Sequence, residues 1–203
     1  KVSVEAVRKG ELDEAIVDES VRRILKIIFK AQQTPKGGEF DQEAHHQLAG
    51  KIASEGMVLL KNNGLLPLKG QRKIAVIGRG AKSPHFQGGG SSHVNPTKVS
   101  IPLEELEKTA SDIEFSYSEG YPKGEDFRQD LIDAALTEAV AADAAILFIA
   151  LPTYIESEGY DRQNIDLTQQ QVALIKAVAK AQPNNVVVLN NGAAVAMQDW
   201  VNG

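Results

Sequence analysis

The sequence contains no cysteine, and this absence removes several kinds of chemistry at once. Without a thiol the chain has no disulfide framework, no thiolate nucleophile and no cysteine-ligated zinc site. The absence of cysteine does not by itself identify a cellular compartment, so the redox surroundings of the protein stay open.

The sequence also has little clustered positive charge and no long apolar run. The formal net charge is −5, and basic residues cluster only around Arg22, Arg23 and Lys26, which argues against a dominant nucleic-acid surface. No apolar run approaches the roughly 18 residues that a membrane-spanning helix needs. With 203 residues, 42% of them hydrophobic and 24% charged, the chain is typical of one globular domain with an appendage. Neither a nucleic acid nor a membrane is therefore expected as a partner.

The chain begins at Lys1 without an initiator methionine, which predicts that it is a piece of a longer protein. An amphipathic helix is predicted from Glu11 to Gln32, because apolar residues recur there at helical spacing. Pro35, Gly37 and Gly38 then break the pattern and predict a linker between domains. The apolar positions of the helix are Ile16, Val17, Val21, Ile24, Leu25 and Ile28.

A second helix is predicted from about Asp41 to Ser54, with Asp41 as its N-cap and with Leu48 and Ile52 on a buried side. The segment GMVLLKNNGLLPL, residues 56–68, then predicts a short strand and a turn.

From Lys73 onward, strand patterns alternate with helix patterns. Short runs rich in Val, Ile and Leu are typical of strands that are buried on both faces, and their alternation with helices predicts a mostly parallel sheet. We expect a three-layer α/β/α sandwich whose sheet is incomplete at the carboxyl-terminal end of the chain. The four predicted strands lie in KIAVIG (73–78), IEFSYSEG (113–120), AAILFIAL (144–151) and NVVVLNNG (185–192), and the helices span 102–110, 130–142 and 168–182.

The loops after Gly78, Leu151 and Leu189 should open onto one edge of this sheet, where ligands of α/β proteins usually bind. The first loop is rich in glycine, which allows close approach of a ligand but also suits a merely flexible loop. Its turn VIGRGA lacks the third glycine of a dinucleotide fingerprint. The loop residues of interest are Gly88, Gly89, Gly90, Ser91, Ser92 and His93.

The second loop, PTYIESEGYDRQNIDL, concentrates acidic side chains between a strand and a helix. A solvated loop would explain the charge, but such a loop does not need aromatic residues among its carboxylates. A glutamate that exchanges protons with a sugar is served by partly apolar walls, which raise its pKa. We therefore interpret the loop as functional, with Tyr154, Glu156, Glu158, Tyr160, Asp161 and Arg162 as its candidate residues.

No pair of histidines has the i, i+4 helical spacing of a zinc site, so the sequence predicts no metal site. His45 and His46 are expected at the surface, whereas His93 could touch a substrate. The single tryptophan, Trp200, packs as core or serves as a sugar platform, and the sequence does not separate the two.

Five motifs in this order resemble the second domain of family 3 glycoside hydrolases. They are SEGMVLLKNNGLLPL, KIAVIG, GGGSSHVNPTK, ESEGYDRQNIDLT and VVVLNNGAAVAM, and the similarity is greatest to β-glucosidases. The opening VRKGELDEAIVDESVRRILKIIFKAQ resembles the closing helix of that family's first domain, a TIM-like barrel. The resemblance implies that residues 1–38 are the end of a barrel plus a linker and that residues 39–203 are part of an α/β sandwich.

The resemblance also implies a function. Such enzymes hydrolyse β-glucosides with retention, and their two catalytic carboxyls lie about 5 to 5.5 Å apart. The nucleophilic aspartate belongs to the barrel, which is absent here, and the second domain lends the acid/base glutamate. The segment EGYDR places that role on Glu158, with Glu156 as the alternative. Independently of the resemblance, the residue types predict that Asp161 and Arg162 shape the loop, with Arg162 holding carboxylates by bidentate contact.

These implications define the expected partners. The substrate is expected to be a β-glucoside or oligosaccharide, with a β-xyloside as the alternative. The other partner is the barrel domain of the same parent chain. No cofactor is implied, and a homo-oligomer is left open. The 203-residue chain alone should be inactive. Two other interpretations are a non-catalytic carbohydrate-binding or scaffolding domain and a nucleotide-binding domain that uses the VIGRGA turn.

Overall fold

A computed structural model describes residues 2–159 and 161–202. The chain divides into two compact units between Met57 and Val58. The first unit contains three helices, α1 (Val2–Arg8), α2 (Glu14–Gln33) and α3 (Gln42–Gly56). Asp13 and Asp41 cap α2 and α3, because their side chains accept hydrogen bonds from the amides of Ala15 and Ala44, both at 2.9 Å. Both predicted helices and the predicted cap at Asp41 are confirmed.

The prediction that Leu48 and Ile52 are buried is wrong for the described residues. Their side chains are 53% and 61% exposed, and none of the residues of α1, α2 or α3 is buried. Apolar periodicity identifies the face that a helix can bury, but burial also needs another element packed against that face.

The predicted strand in residues 56–68 is also wrong, because no described residue of that segment is in a strand. The predicted turn is present and is organised by Asn62. Its Oδ1 accepts hydrogen bonds from the amides of Gly64 (3.0 Å) and Leu66 (3.1 Å), and its Nδ2 donates to the Leu66 carbonyl (2.9 Å). An asparagine that satisfies the backbone in this way stabilises a turn in place of a strand.

The second unit is built on a four-stranded parallel sheet with the order β2-β1-β3-β4. The strands are β1 (Lys73–Ile77), β2 (Glu114–Ser118), β3 (Ala144–Ala150) and β4 (Asn185–Asn190). The helices that alternate with them are α4 (Pro102–Thr109), α5 (Gln129–Val140) and α6 (Gln169–Ala181). The predicted parallel sheet and its alternating helices are confirmed.

Alternate residues of the strands fill two cores on opposite faces of the sheet. Ile77 and Leu147 pack with α5 and α6 on one face, whereas Val76 and Ile146 pack with Leu103 of α4 on the other. This arrangement is the expected three-layer sandwich, because strands buried on both faces need a helical layer on each side. Trp200 is 8% exposed and belongs to the first core, so it packs as a core residue.

Candidate active site at the carboxyl edge of the sheet

The glycine-rich loop leaves β1 through a position that only glycine suits. Gly78 has a φ of 111°, and a Cβ there would lie 2.2 Å from the carbonyl oxygen of Phe148 in the neighbouring strand. Its amide donates to the Ser118 carbonyl of β2 at 2.9 Å. The start of the loop is therefore fixed by backbone contact with both adjacent strands.

The acidic loop, Leu151–Thr168, is held at both ends by the buried side chain of Gln171. The Nε2 of Gln171 donates to the Ala150 carbonyl at the end of β3 (2.7 Å), and its Oε1 accepts from the Thr168 amide (3.2 Å). Thr168 accepts in turn from the Gln171 amide at 3.2 Å, which completes a capping box for α6. The spacing T-x-x-Q is visible in the sequence and could have identified Gln171 as the anchor of this loop.

Glu158 is attached to the glycine-rich loop through Ser91. The amide of Ser91 and its hydroxyl both donate to Glu158 Oε2, at 2.6 and 2.7 Å. Gly90 lies directly beneath this carboxylate, because a Cβ there would be 2.4 Å from Glu158 Oε2. Ser92 closes the turn by donating to the Gly89 carbonyl at 2.8 Å. The structure thus brings Glu158 together with residues from the first loop that the sequence had singled out.

The surroundings of Glu158 are polar and open, not apolar. Its side chain is exposed, and the Ser91 hydroxyl, followed by the Ser91 amide, holds the pKa of Glu158 below its ordinary value. The expectation that partly apolar walls raise this pKa is therefore wrong for the described residues. Two donors aimed at a solvated carboxylate favour its ionised form.

Replacing Ser91 with alanine should raise the pKa of Glu158 toward its ordinary value, because the variant removes the largest cause of the lowering. Stability that comes from a lowered carboxyl pKa is present above the unfolded-state pKa and is lost as the pH falls through the folded-state pKa. Ser91→Ala should remove part of that acid-sensitive stability. A pH titration of the Glu158 carboxyl carbon by NMR tests the shift, with Ser83→Ala as the exposed-serine control. An unchanged titration would contradict the role of Ser91.

Glu156 makes a different set of contacts. Its Oε2 accepts from the Gly192 amide and its Oε1 from the Ala193 amide, both at 2.9 Å, in the loop after β4. The side chain is only 18% exposed. The two glutamates proposed from the sequence are therefore distinguished by structure. Glu156 is mostly buried, with each carboxylate oxygen bound to a backbone amide of the loop after β4, whereas Glu158 is exposed and its Oε2 is bound by Ser91 of the glycine-rich loop.

Arg162 lies beside Glu156 and not in the expected bidentate pair. One nitrogen, Nη1, is 4.0 Å from Glu156 Oε1 and donates to the Ala194 carbonyl at 3.2 Å. A single contact at that distance is a weaker geometry than a two-bond arginine–carboxylate pair, so the bidentate expectation is wrong. Asp161, its neighbour in sequence, is exposed.

The remaining predicted residues are spread around this edge. Tyr154 is half-buried beside a small cavity, its hydroxyl is 3.5 Å from the Gly124 carbonyl, and burial followed by the charge of Glu125 raises its pKa. His93 is exposed, and its amide donates to the Gly90 carbonyl at 3.1 Å. Tyr160 lies outside the described residues.

The described residues offer neither a metal-binding group nor a helix suited to spanning a membrane. No three side chains among the histidines, aspartates and glutamates of residues 2–159 and 161–202 come together as a metal-binding group. None of the helices in this part of the chain combines the length and the apolar character needed to cross a membrane.

Comparison with known families identifies the sandwich. The family described as "Glycosyl hydrolase family 3 C-terminal domain" matches residues 57–203. The chain belongs to glycosyl hydrolase family 3. Within this family, thermostable beta-glucosidase B of Acetivibrio thermocellus is 45% identical over an alignment of 205 residues that covers 99% of this chain and 27% of that protein. An exo-alpha-(1->6)-L-arabinopyranosidase of Bifidobacterium longum is 35% identical over 97% of this chain and 28% of its own length.

Solved structures show the same family 3 fold. The crystal structure of the Bifidobacterium adolescentis GH3 beta-glucosidase superposes with a TM-score of 0.82 at 36% identity, covering 97% of this chain and 29% of that one. Beta-glucosidase 3B of Thermotoga neapolitana, in complex with alpha-D-glucose, gives a TM-score of 0.75 at 26% identity over 98% of this chain and 32% of that one. The family 3 chain described here therefore spans less than a third of the length of these relatives.

Proposed function

We propose that this family 3 chain lends Glu158 as the general acid/base to the retaining hydrolysis of terminal, non-reducing β-D-glucosides. In this proposal residues 1–38 are the last helix of a barrel domain plus a linker, and residues 39–203 belong to the α/β sandwich. The nucleophilic aspartate belongs to the barrel. The observation that carries the proposal is the difference in exposure between the two glutamates: Glu158 is exposed at the carboxyl edge of the sheet, whereas the side chain of Glu156 is 18% exposed and both of its oxygens are bound to amides.

The proposed chemistry assigns two successive tasks to one carboxyl group. As an acid, Glu158 gives its proton to the leaving oxygen while the barrel aspartate attacks the anomeric carbon. As a carboxylate, it then takes a proton from the water that hydrolyses the glycosyl–enzyme intermediate. Ser91 donates two hydrogen bonds to the carboxylate form and so favours the second task. The first task needs Glu158 in its protonated form. A nearby carboxylate and the exclusion of water by bound substrate would both raise the pKa of Glu158 and so help to retain the proton.

The substrate assignment rests on the relatives' own activities. The 45% identical relative and the superposed structures are named as beta-glucosidases, and the 35% identical relative is named as an arabinopyranosidase. A glucoside is therefore the proposed substrate, and a β-xyloside or an α-L-arabinopyranoside is the competing sugar. The chain alone should be inactive, because in the retaining mechanism the acid/base glutamate needs a nucleophile on the opposite side of the sugar.

A domain chimaera tests the proposal. In this chimaera the chain replaces the matching segment of the Acetivibrio thermocellus beta-glucosidase, which supplies the rest of that protein. We expect hydrolysis of p-nitrophenyl β-glucoside with the β-anomer of glucose as the first product, slower turnover of the matched xyloside and arabinopyranoside, and no turnover by the chain alone. A folded chimaera without hydrolysis, or hydrolysis by the chain alone, would contradict the proposal.

A further inference from the structure

Glu156 connects two loops that follow neighbouring strands of the sheet, the loop after β3 and the loop after β4. Its two carboxylate oxygens accept hydrogen bonds from consecutive amides, Gly192 and Ala193, each at 2.9 Å. The carboxylate belongs to the loop after β3, and the amides belong to the loop after β4, which lies beside β3 in the sheet. A carboxylate that accepts from charged or backbone donors in this way makes stronger hydrogen bonds than a neutral acceptor.

Arg162 lies beside the carboxylate that makes this link. Its side chain is 15% exposed, and among residues 2–159 and 161–202 its Nε and Nη2 are buried without a hydrogen-bond partner. Within the same residues the guanidinium approaches one carboxylate, that of Glu156. Removing one member of a largely buried ion pair leaves the other charge uncompensated. The guanidinium of Arg162 therefore packs against the same carboxylate that the two amides bind.

The segment Glu156–Glu158 joins three loops within three residues. Glu156 binds the loop after β4, Glu158 binds Ser91 in the loop after β1, and the Ser157 hydroxyl packs so closely on Gly89 that a Cβ there would be 2.0 Å from its Oγ. The backbone between the two glutamates is thereby held from both sides. A substitution that shifts the backbone at Glu156 should therefore also displace Glu158, because only two peptide units separate the two residues.

We propose that Glu156 is a positioning residue, which fixes the backbone that carries Glu158 by tying the acidic loop to the amides of Gly192 and Ala193. This inference rests on the proposed function, because it concerns the position and orientation of the proposed acid/base, Glu158. It also assigns Glu156 a role other than the acid/base role that the sequence left open for it.

The first test is a double-mutant cycle in the chimaera. Glu156→Gln retains the size of the side chain but presents an amide donor to one of the two N–H groups and loses the attraction of Arg162. We expect kcat for an unactivated β-glucoside to fall by at least about tenfold with little change in KM. Because Glu156 acts through Glu158, the pair Glu156→Gln and Glu158→Ala should be no slower than Glu158→Ala alone. Independent, multiplying losses would overturn the proposal.

The second test uses the 203-residue chain itself and does not depend on hydrolysis. In Glu156→Gln, we expect the NMR signals of the Gly192 and Ala193 amides to move and the titration of the Glu158 carboxyl to shift toward its ordinary pKa. The matched control Asp166→Asn, on an exposed carboxylate of the same loop, should change none of these signals. An unchanged Glu158 titration in a folded Glu156→Gln chain would overturn the positioning role even if the chimaera is inactive. An inactive chimaera with the expected shift would instead overturn the proposed function alone.

Discussion

Replacing Glu158 with alanine in the chimaera is expected to lower kcat/KM for an alkyl β-glucoside by about 10²- to 10⁴-fold, the usual range for the loss of a general acid. An alkoxide is a poor leaving group, so cleavage of its bond needs the proton that Glu158 would donate. A dinitrophenolate leaves without a proton, and the rate of forming the glycosyl–enzyme from that substrate should fall far less. Rates measured across a series of aryl and alkyl glucosides therefore test the assignment through their dependence on leaving-group pKa.

Asp166→Ala is the matched control for this variant, because Asp166 is an exposed carboxylate in the same acidic loop. It should leave the whole leaving-group series close to the parent rates. Equal losses across the series for Glu158→Ala would indicate a structural effect in place of lost proton donation. A nearly silent Glu158→Ala would contradict the assignment directly.

Gly90→Ala should lower the same rate by about 10²-fold, the loss that follows when a catalytic group is displaced by about 1 Å. The added Cβ would lie 2.4 Å from Glu158 Oε2 and 2.8 Å from Glu158 Cβ, so the carboxylate must move. Gly90 also has a φ of 66°, which an alanine adopts at a cost on the order of 1 kcal/mol or more. Kinetics on the alkyl glucoside, together with the Glu158 titration in the chain, measure both consequences.

Gly124→Ala provides the control for the glycine variant. A Cβ at Gly124 would meet no heavy atom within 4 Å, and its φ lies outside the positive range that disfavours alanine. Its activity should match the parent. If Gly90→Ala also matched the parent, the close contact between the glycine-rich loop and Glu158 would have no part in catalysis.

The sheet was predictable because its strands have a recognisable local sequence pattern. The runs KIAVI and AAILFIA are short, almost wholly apolar and separated by helices with an apolar period, and parallel strands buried on both faces have that pattern. The exposed positions of α3 show the limit of the same argument. The periodicity of Leu48 and Ile52 identifies a face, but no local pattern states which element covers it.

The contacts of the candidate site were predictable only in part. That the loops after β1, β3 and β4 share an edge follows from parallel topology. The contacts of Glu158 with Ser91 and of Glu156 with Gly192 do not follow from the topology. These pairs are 67 and 36 residues apart in the sequence, and their contact depends on the loop conformations. The prediction that the pKa of Glu158 is raised was wrong for the same reason, because the donors that lower this pKa come from a loop distant in the sequence.

The most direct test of the acid/base assignment is the product formed by the Glu158→Ala chimaera from p-nitrophenyl β-glucoside in the presence of azide. Azide needs no base to attack the glycosyl–enzyme, and it can enter the space that a removed carboxylate leaves. We predict that azide accelerates turnover of this variant and that the product is β-glucosyl azide, whereas Glu156→Ala yields glucose alone. Azide rescue of Glu156→Ala but not of Glu158→Ala, or of neither variant, would contradict the assignment of Glu158.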